Sequence, residues 1–355
     1  MGTAEDPAAW FENLPPEILS IIADHLCNED AKSLSLVCKT LREVSLPYIF
    51  HDVRFEFSQS GFTALRGLLL CDLPQYVVSF TYLIPELLHP GTQSLKFFQE
   101  NVINPDDYME TSNDKPYCNH LAEMNIPYRL VYNTFRCICE EQSAIVESCE
   151  DSTVLSNAFR ELPRLSELRL DFCQTLMKED WVEFCMDRTV TDNTVLHHFQ
   201  VLSFALEAGR DSGVFVRTIH LSGLELPYVS TLRENPRFHF LKLHFGDLLK
   251  CVSNLRLSGS GSSMKILACI DLDLQHLELC QITVLDSVFY EFMQNNASID
   301  SIGCHQARLN TSYRESVELS PELYDNLLKL GSSTTCMSAS SCLICLKDGW
   351  RLSKY

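Results

Sequence analysis

Three cysteines near the C-terminus are the residues whose spacing comes closest to metal chemistry. Cys336, Cys342 and Cys345 form a C-x5-C-x2-C pattern, whereas a structural zinc site needs about four ligands in a closed tetrahedron. No spacing in the chain points to a fourth ligand. His197 and His198 are adjacent, so on a helix their side chains point about 100 degrees apart and make a poor clamp. The sequence therefore favours apolar packing of "CLICL" and predicts no metal.

The serine-rich stretch "SGSGSS", residues 258–263, is the place where a nucleophile or a phosphate loop would be sought. No register supplies the glycines of G-x-S-x-G, and Met264 stands where G-x-G-x-x-G needs its last glycine. A turn is the better interpretation. A cysteine–histidine pair that meets only in the fold stays open, but no local motif supports any of the 16 cysteines. The sequence thus indicates no catalytic residue and no cofactor.

Charge and composition restrict the partners. The 355 residues carry a formal net charge of -19, and nucleic-acid affinity depends on Lys and Arg that neutralise phosphates, so no nucleic-acid partner is expected. The same acidity repels an anionic membrane surface. We find neither an uninterrupted apolar stretch of roughly 20 residues nor a basic start followed by an apolar segment. These features indicate a protein of the cytoplasm, the nucleus or both.

The segment "LPPEILSIIADHL" near the N-terminus predicts a helix with apolar residues on several sides. Pro16 suits the first helical position, and Asn28 and Asp30 offer caps for a second helix that is expected to break before Pro47. Half of residues 14–53 are apolar. A unit of about 40 residues rarely buries so many apolar side chains by itself. We therefore expect a partner to cover part of this helical module.

The remainder of the chain divides into a middle unit and a repetitive region. Residues 55–159 begin with the strand-like "VRFEF" and contain one amphipathic stripe from Tyr128 to Cys149 at helical spacing. Residues 160–335 contain five segments with apolar residues two apart, each a candidate strand: "LSELRLDFC", "VRTIHLSGL", "FLKLHFGDL", "NLRLSGSG" and "LQHLELCQI". Residues 336–355 are expected to pack on the last repeat.

The spacing of the candidate strands suggests a repeat. The steps from Ile219 to Leu241, from Leu255 to Leu277 and from Leu277 to Ile299 are each 22 residues. Stacked L-x-L strands bury together what one repeat cannot bury alone and present an extended surface to a partner. The fold class predicted is α/β, with three helices followed by an irregular leucine-rich-repeat-like solenoid; a different α/β sheet is the alternative.

The N-terminal module, residues 9–54, resembles an F-box. "LPPEILSIIADHL" is similar to the family's leucine-proline start and first helix, and "EDAKSLSLVCKTLREV" is similar to its acidic turn and valine-cysteine-basic run. "FTYLIPELL", "TFRCICEEQ" and "LPRLSELRLDFC" look like the body of F-box proteins from filamentous fungi. The resemblance implies docking to a Skp adaptor and, through it, to the cullin of an SCF-type ubiquitin ligase.

The resemblance also implies which side chains contact the adaptor. Carried over position by position, they are Leu14, Pro15, Ile18, Leu19, Val37, Cys38 and Leu41. Ala31 stands where the family usually has leucine, and Leu41 stands where tryptophan is common. Both changes remove apolar area, so the sequence predicts weaker adaptor binding than is typical.

The function expected from the resemblance is a non-catalytic substrate-recognition subunit, with a protein substrate held by the repeat region. One alternative is an interaction scaffold that binds the Skp adaptor or another partner without promoting ubiquitination. An enzyme with a cryptic active site is a third possibility. It would need a polar pocket with converging ionisable groups. The sequence does not identify the substrate or show whether it must be phosphorylated.

Overall fold

A computed structural model describes residues 14–109, 126–179, 181, 182, 186, 191, 193–226 and 237–310. The predictions for the C-terminal cysteines and for residues 336–355 concern residues outside these ranges. Helices α1 to α12 are Pro16–Asp24, Asn28–Ser35, Lys39–Ile49, Gln59–Leu69, Leu95–Asn101, Pro105–Met109, Tyr128–Glu147, Glu150–Glu161, Thr194–Asp211, Arg237–Leu249, Ser262–Leu267 and Asp286–Asn295. The short 3₁₀ turns are Pro74–Tyr76 and Pro90–Gln93.

The strands form one large parallel sheet and one small one. Strands β1 to β9 are Asp52–Glu56, Ser79–Pro85, Glu167–Cys173, Thr218–Ser222, Asn254–Ser258, His276–Cys280, Thr283–Leu285, Ser301–His305 and Arg308–Asn310. The large sheet has the order β1-β2-β3-β4-β5-β6-β8, and β7 pairs with β9. The mixed α/β class expected from the sequence is confirmed, with strands added to the sheet in chain order.

The same backbone contact recurs where each strand of the large sheet begins. One carbonyl of the preceding coil accepts hydrogen bonds from two successive N–H groups of the next, for example His51 O from Val78 and Ser79 at 3.0 Å each. The other accepting carbonyls are those of Val78, Ser166, Arg217, Ser253 and Gln275. The geometry thus repeats from β1 to β8. The sheet begins with β1 at the boundary between the N-terminal module and the middle unit, and β2 lies inside the segment that the sequence assigned to the middle unit.

One face of the sheet carries a continuous apolar core. In register across the strands, one row of this core is Val53, Phe80, Leu168, Ile219, Leu255, Leu277 and Ile302, and the next is Phe55, Tyr82, Leu170, Leu221, Leu257, Leu279 and Cys304. Helix residues such as Phe159, Phe199 and Phe245 pack into the same cluster. Because the strands alternate apolar and polar residues, only this face needs helices to cover it.

Left-handed residues end the later strands at one equivalent position. Gly223, Gly259, Gln281 and Gln306 directly follow β4, β5, β6 and β8, with φ of 66°, 95°, 52° and 57°. At Gly223 a Cβ atom would lie 2.3 Å from the Phe172 carbonyl oxygen. Glycine is therefore required there both by the backbone angle and by the close approach of the preceding coil.

One candidate strand and the spacing built on it are wrong. "FLKLHFGDL" lies in α10, so Leu241 belongs to a helix and the step from Ile219 to the next strand is 36 residues, to Leu255. Leu277 pairs with Ile302 rather than with Ile299, which makes that step 25 residues. Apolar residues at positions 241, 245 and 248 also fit the helical period, and packing against α9 decides in favour of the helix.

The helix predicted in the middle unit agrees with the structure, whereas the second helix predicted in the N-terminal module does not. Helix α7 runs over Tyr128–Glu147 and buries Val131, Phe135 and Ile145, as predicted. In the N-terminal module the expected second helix is two helices, interrupted at residues 36–38, and α3 continues through Pro47. Proline is tolerated because it lies in the last turn of α3, where only one intrahelical hydrogen bond is lost.

The start of α4 offers a test of local stability. Ser58 is the N-cap, and its hydroxyl oxygen accepts a hydrogen bond from the Gly61 N–H at 3.1 Å. We expect Ser58→Ala to lower the free energy of unfolding by about 1 kcal/mol. Thr63→Ala is the control, since that hydroxyl bonds to Gln59 O on the exposed side. Chemical denaturation measures both, and equal effects would refute the capping role.

A buried histidine in α9 predicts how stability depends on pH. His198 is fully buried, and its Nδ1 lies 3.0 Å from the Tyr82 hydroxyl. Desolvation, with a smaller contribution from the charge of His197, holds the pKa of His198 well below 6.5. The unfolded chain binds the proton more readily, so stability falls as the pH drops through about 6.5. Chemical denaturation at pH 7 and at pH 5 measures the free energy of unfolding. Between these two pH values His198→Gln should lose less of it than the unaltered chain does; equal losses would contradict this prediction.

Candidate docking surface

The N-terminal helices and the break between α2 and α3 expose four large apolar side chains. Ile18 and Ile21 lie one turn apart on α1 and are 43% and 58% exposed. Leu36 and Val37, in the break between α2 and α3, are 85% and 65% exposed. These four residues, called here the apolar surface, lie within 20 positions of the chain. Exposed leucine and valine side chains of this extent are typical of a site that a partner covers.

The helix break holds Leu36 and Val37 outward. Helix α2 ends with the N–H groups of Leu36 and Val37 bonded to the carbonyls of Ser33 and Leu34, which closes the last turn. Cys38 then takes extended backbone angles as the N-cap of α3. At the other end of α2 the thiol of Cys27 accepts from the Asp30 N–H at 3.4 Å. The two residues therefore lie on a short connection whose ends are fixed by helix termini.

The predicted contact residues divide between the surface and the interior. Pro15, Ile18 and Val37 are exposed, and Leu14 and Cys38 are half-buried. Leu19 and Leu41 are only 1% exposed and form the module's own core with three other residues, Ala23, Ala31 and Ile49. Leu19 and Leu41 thus support the position of the helices rather than offering contact area.

The two departures from the family pattern therefore act inside the module. Ala31 and Leu41 are each 1% exposed, so a smaller residue at either position changes packing between the helices. The expectation that these substitutions reduce the adaptor contact area does not fit their burial. Their effect belongs to the stability of the module.

Two residues of the apolar surface were missed by the sequence analysis. Ile21 lies three residues after Ile18, so the helical period places both on the same side of α1. Leu36 directly precedes Val37 and was assigned to a helix interior, where its exposure could not be foreseen. The 3-residue spacing of Ile18 and Ile21 is the feature of the sequence from which the exposure of Ile21 beside Ile18 could have been predicted.

The module joins the sheet directly. Helix α3 ends at Ile49, and β1, the edge strand of the large sheet, begins at Asp52. Helix α3 also contacts the turn Pro74–Tyr76, which leads into β2. Helix α3 is therefore connected to the sheet by two intervening residues and by this second contact.

The described residues form neither a metal centre nor a membrane-spanning helix. Among the described residues, no group of three or more His, Cys, Asp or Glu side chains could hold a metal ion. A cavity of about 260 Å³ beside the serine-rich turn has Lys265 as its one ionisable lining residue. Within the same part of the chain, no helix combines the length and apolar character needed to cross a bilayer.

Exposed apolar side chains on a small helical unit with buried residues of its own are typical of a module that binds another protein. The family model of the F-box domain matches residues 11–51, which include this surface. No curated protein matches the chain. The match supports an F-box protein and implies a Skp adaptor as the partner of these helices, as the sequence resemblance predicted. F-box proteins are generally non-catalytic adaptors.

Proposed function

We propose that this chain is the substrate-recognition subunit of an SCF-type cullin ubiquitin ligase. The observation that carries the proposal is the apolar surface of Ile18, Ile21, Leu36 and Val37 on a domain that matches the F-box. These side chains bind the Skp adaptor, which in turn binds the cullin. Burial of a valine or leucine side chain contributes about 1.5 to 3 kcal/mol, so covering these four side chains favours the complex.

The substrate surface in this proposal is the polar face of the large sheet. Helices cover the opposite face, and the coils repeat one backbone geometry from β1 to β8. These features support a leucine-rich-repeat-like solenoid that begins earlier in the chain than the sequence indicated. The similarity of the body to F-box proteins of filamentous fungi is part of the same proposal, as is a location in the cytoplasm, the nucleus or both.

The chain needs no catalytic group for this function. In an SCF complex the cullin-bound machinery brings the charged ubiquitin carrier, and the recognition subunit holds the substrate near it. That contribution is an effective concentration, which can increase the rate by several orders of magnitude without new chemistry.

Co-purification separates this proposal from the scaffold alternative. The full chain is isolated from its own source, and the recovered Skp adaptor and cullin are quantified by mass spectrometry. A recognition subunit recovers both partners, and a chain that lacks residues 1–54 recovers neither. Recovery of the adaptor without cullin would favour a scaffold. Equal recovery with and without residues 1–54 would refute docking through the F-box.

A further inference from the structure

The last strand of the large sheet has a free edge within the described part of the chain. Strand β8 pairs with β6 on one side, and no other described strand pairs with its second side. The backbone N–H and C=O groups that a strand directs to its free side can bind a further strand. Native proteins usually cover such an edge, because it otherwise recruits other chains. The free side of β8 is therefore a surface that needs an occupant.

The apolar core is also incomplete at this edge. Ile302 and Cys304 continue the two apolar rows of the sheet, but their side chains are only half-buried. Their register partners on β6, Leu277 and Leu279, are each 1% exposed. Each inner strand has a neighbour on both sides, whereas β8 has one among the described strands. A further strand with two apolar residues at alternate positions would complete both rows.

The sequence after β8 contains a matching pattern at a matching distance. The last described residue is Asn310, and residues 311–355 follow it. Strands β5 and β6 are joined by 17 residues, and β6 and β8 by 20. After 21 residues from the end of β8 the sequence reads "LLKLG", residues 327–331, with the length and the L-x-L pattern of "NLRLS" in β5. The segment "CLICL", residues 342–346, also alternates, but 36 residues separate it from β8.

The leucines of residues 327–331 specify one register against β8. Leu328 beside Ile302 places Leu330 in line with the next apolar row. Lys329 then belongs to the polar face, like the middle residues of the other strands. A register one residue earlier would place Leu327 beside Ile302 and bury the lysine in the core without a partner, which is costly.

Charge on the polar face favours the same register. Lys329 would lie beside Gly303, the middle residue of β8, and Glu278 of β6 lies on the other side of this glycine. A Cβ atom at Gly303 would be 3.4 Å from Glu278 Cγ, so the glutamate side chain leans over the glycine towards the free edge. Glu278 contacts Arg256 Nε at 3.6 Å and His305 Nε2 at 3.0 Å, and its side chain is still 34% exposed. A lysine side chain can therefore reach this carboxylate across Gly303.

We propose that residues 327–331 pair with the free edge of β8 as an additional parallel strand. The occupant of the edge is then this chain itself, and not a second copy or a strand of another protein. The inference is independent of the proposed function and adds one constraint to it. A substrate segment cannot bind by adding a strand at this edge, because the edge is already occupied.

Hydrogen–deuterium exchange of the full chain, measured by mass spectrometry in peptides that contain β8, tests the proposal. Leu328→Asp with Leu330→Asp should accelerate exchange in β8 by about 10-fold or more, because two carboxylates cannot enter the core. Leu327→Asp is the matched control at a polar-face position and should change the rate by less than about 2-fold. Lys329→Glu places a carboxylate near Glu278 and should accelerate exchange about 3-fold, whereas Lys347→Glu should have no effect.

Four results would overturn the proposal. In the unaltered chain β8 could already exchange as fast as in the double variant, or Leu327→Asp could accelerate it equally. Acceleration only by Leu343→Asp with Cys345→Asp would assign the edge to "CLICL". Protection of β8 that rises with protein concentration would assign it to a second copy. If the double variant also accelerates exchange in β2 and β3, Lys329→Glu decides, since that change stays outside the core; unchanged exchange of β8 in this variant then refutes the pairing.

Discussion

Replacement of Leu36 and Val37 together by aspartate is expected to weaken binding of the Skp adaptor by at least 100-fold. The two side chains are 85% and 65% exposed, so the change removes apolar contact area worth about 3 kcal/mol or more and places two carboxylates in the interface. About 1.4 kcal/mol corresponds to a factor of ten in affinity. Calorimetric titration of the purified chain with the adaptor measures the effect.

The control for this variant is Leu130→Asp, which introduces the same charge at a leucine 48% exposed on α7. It should bind the adaptor as the unaltered chain does. Thermal unfolding of all three proteins should agree, because none of the changed side chains is in a core. Undiminished adaptor binding by the Leu36→Asp, Val37→Asp variant would contradict the placement of the docking surface. Leu19→Asp is unsuitable, since that side chain is 1% exposed and its replacement disrupts the module.

Phe80→Ala is expected to destabilise the whole sheet by about 3 to 5 kcal/mol. Phe80 is fully buried in β2, stacks on Phe55 with ring centroids 5.9 Å apart and meets the edge of Phe159 at 5.5 Å. Its register partner Leu168 continues the core into β3. Loss of the ring leaves a cavity at the junction between the early strands and the repeats. Denaturant unfolding measures the loss, and hydrogen exchange of β3 to β5 should accelerate with it.

Phe215→Ala is the matched control, because this phenylalanine is 52% exposed and its truncation should change stability by no more than about 0.5 kcal/mol. A Phe80→Ala variant in which faster exchange is limited to β1 and β2 would contradict a continuous core. It would instead support a separate middle unit, with the boundary near residue 159 that the sequence suggested.

The parts of the fold with a clear hydrophobic period could be predicted from the sequence. The stripe that includes Val131 and Phe135 predicted α7, and L-x-L at Leu168 and Leu170 predicted β3. The stripe of α7 is too long to fit the two-residue period of a strand, and the L-x-L pair of β3 is too isolated to fit the period of a helix. "FLKLHFGDL" satisfies both periods, so only packing of α10 against α9 could decide it. The early strands β1 and β2 were not assigned to the sheet because 81 residues, 86–166, separate β2 from β3.

The sequence predicted where the candidate site lies along the chain, but not which of its side chains are exposed. The motif predicted an F-box where the family model matches, at residues 11–51, because the F-box pattern is carried by residue types along the chain. It could not separate Ile18 from Leu19. These residues are neighbours in sequence, but the side chain of Ile18 is 43% exposed and that of Leu19 is 1% exposed. The phase of a short helix against its neighbours is set by tertiary packing, which the pattern does not contain. Which side chains share a row of the sheet is likewise visible only once strands distant in sequence are in register.

Hydrogen–deuterium exchange of the full chain with and without the Skp adaptor tests the central claim most directly. In the proposed complex the adaptor binds the F-box and leaves the polar face of the sheet free for substrate. We therefore expect adaptor-dependent protection in residues 15–24 and 33–40, with unchanged exchange in β3 and β5. Protection of those strands, or no protection around Leu36 and Val37, would contradict the division of the molecule into two docking surfaces.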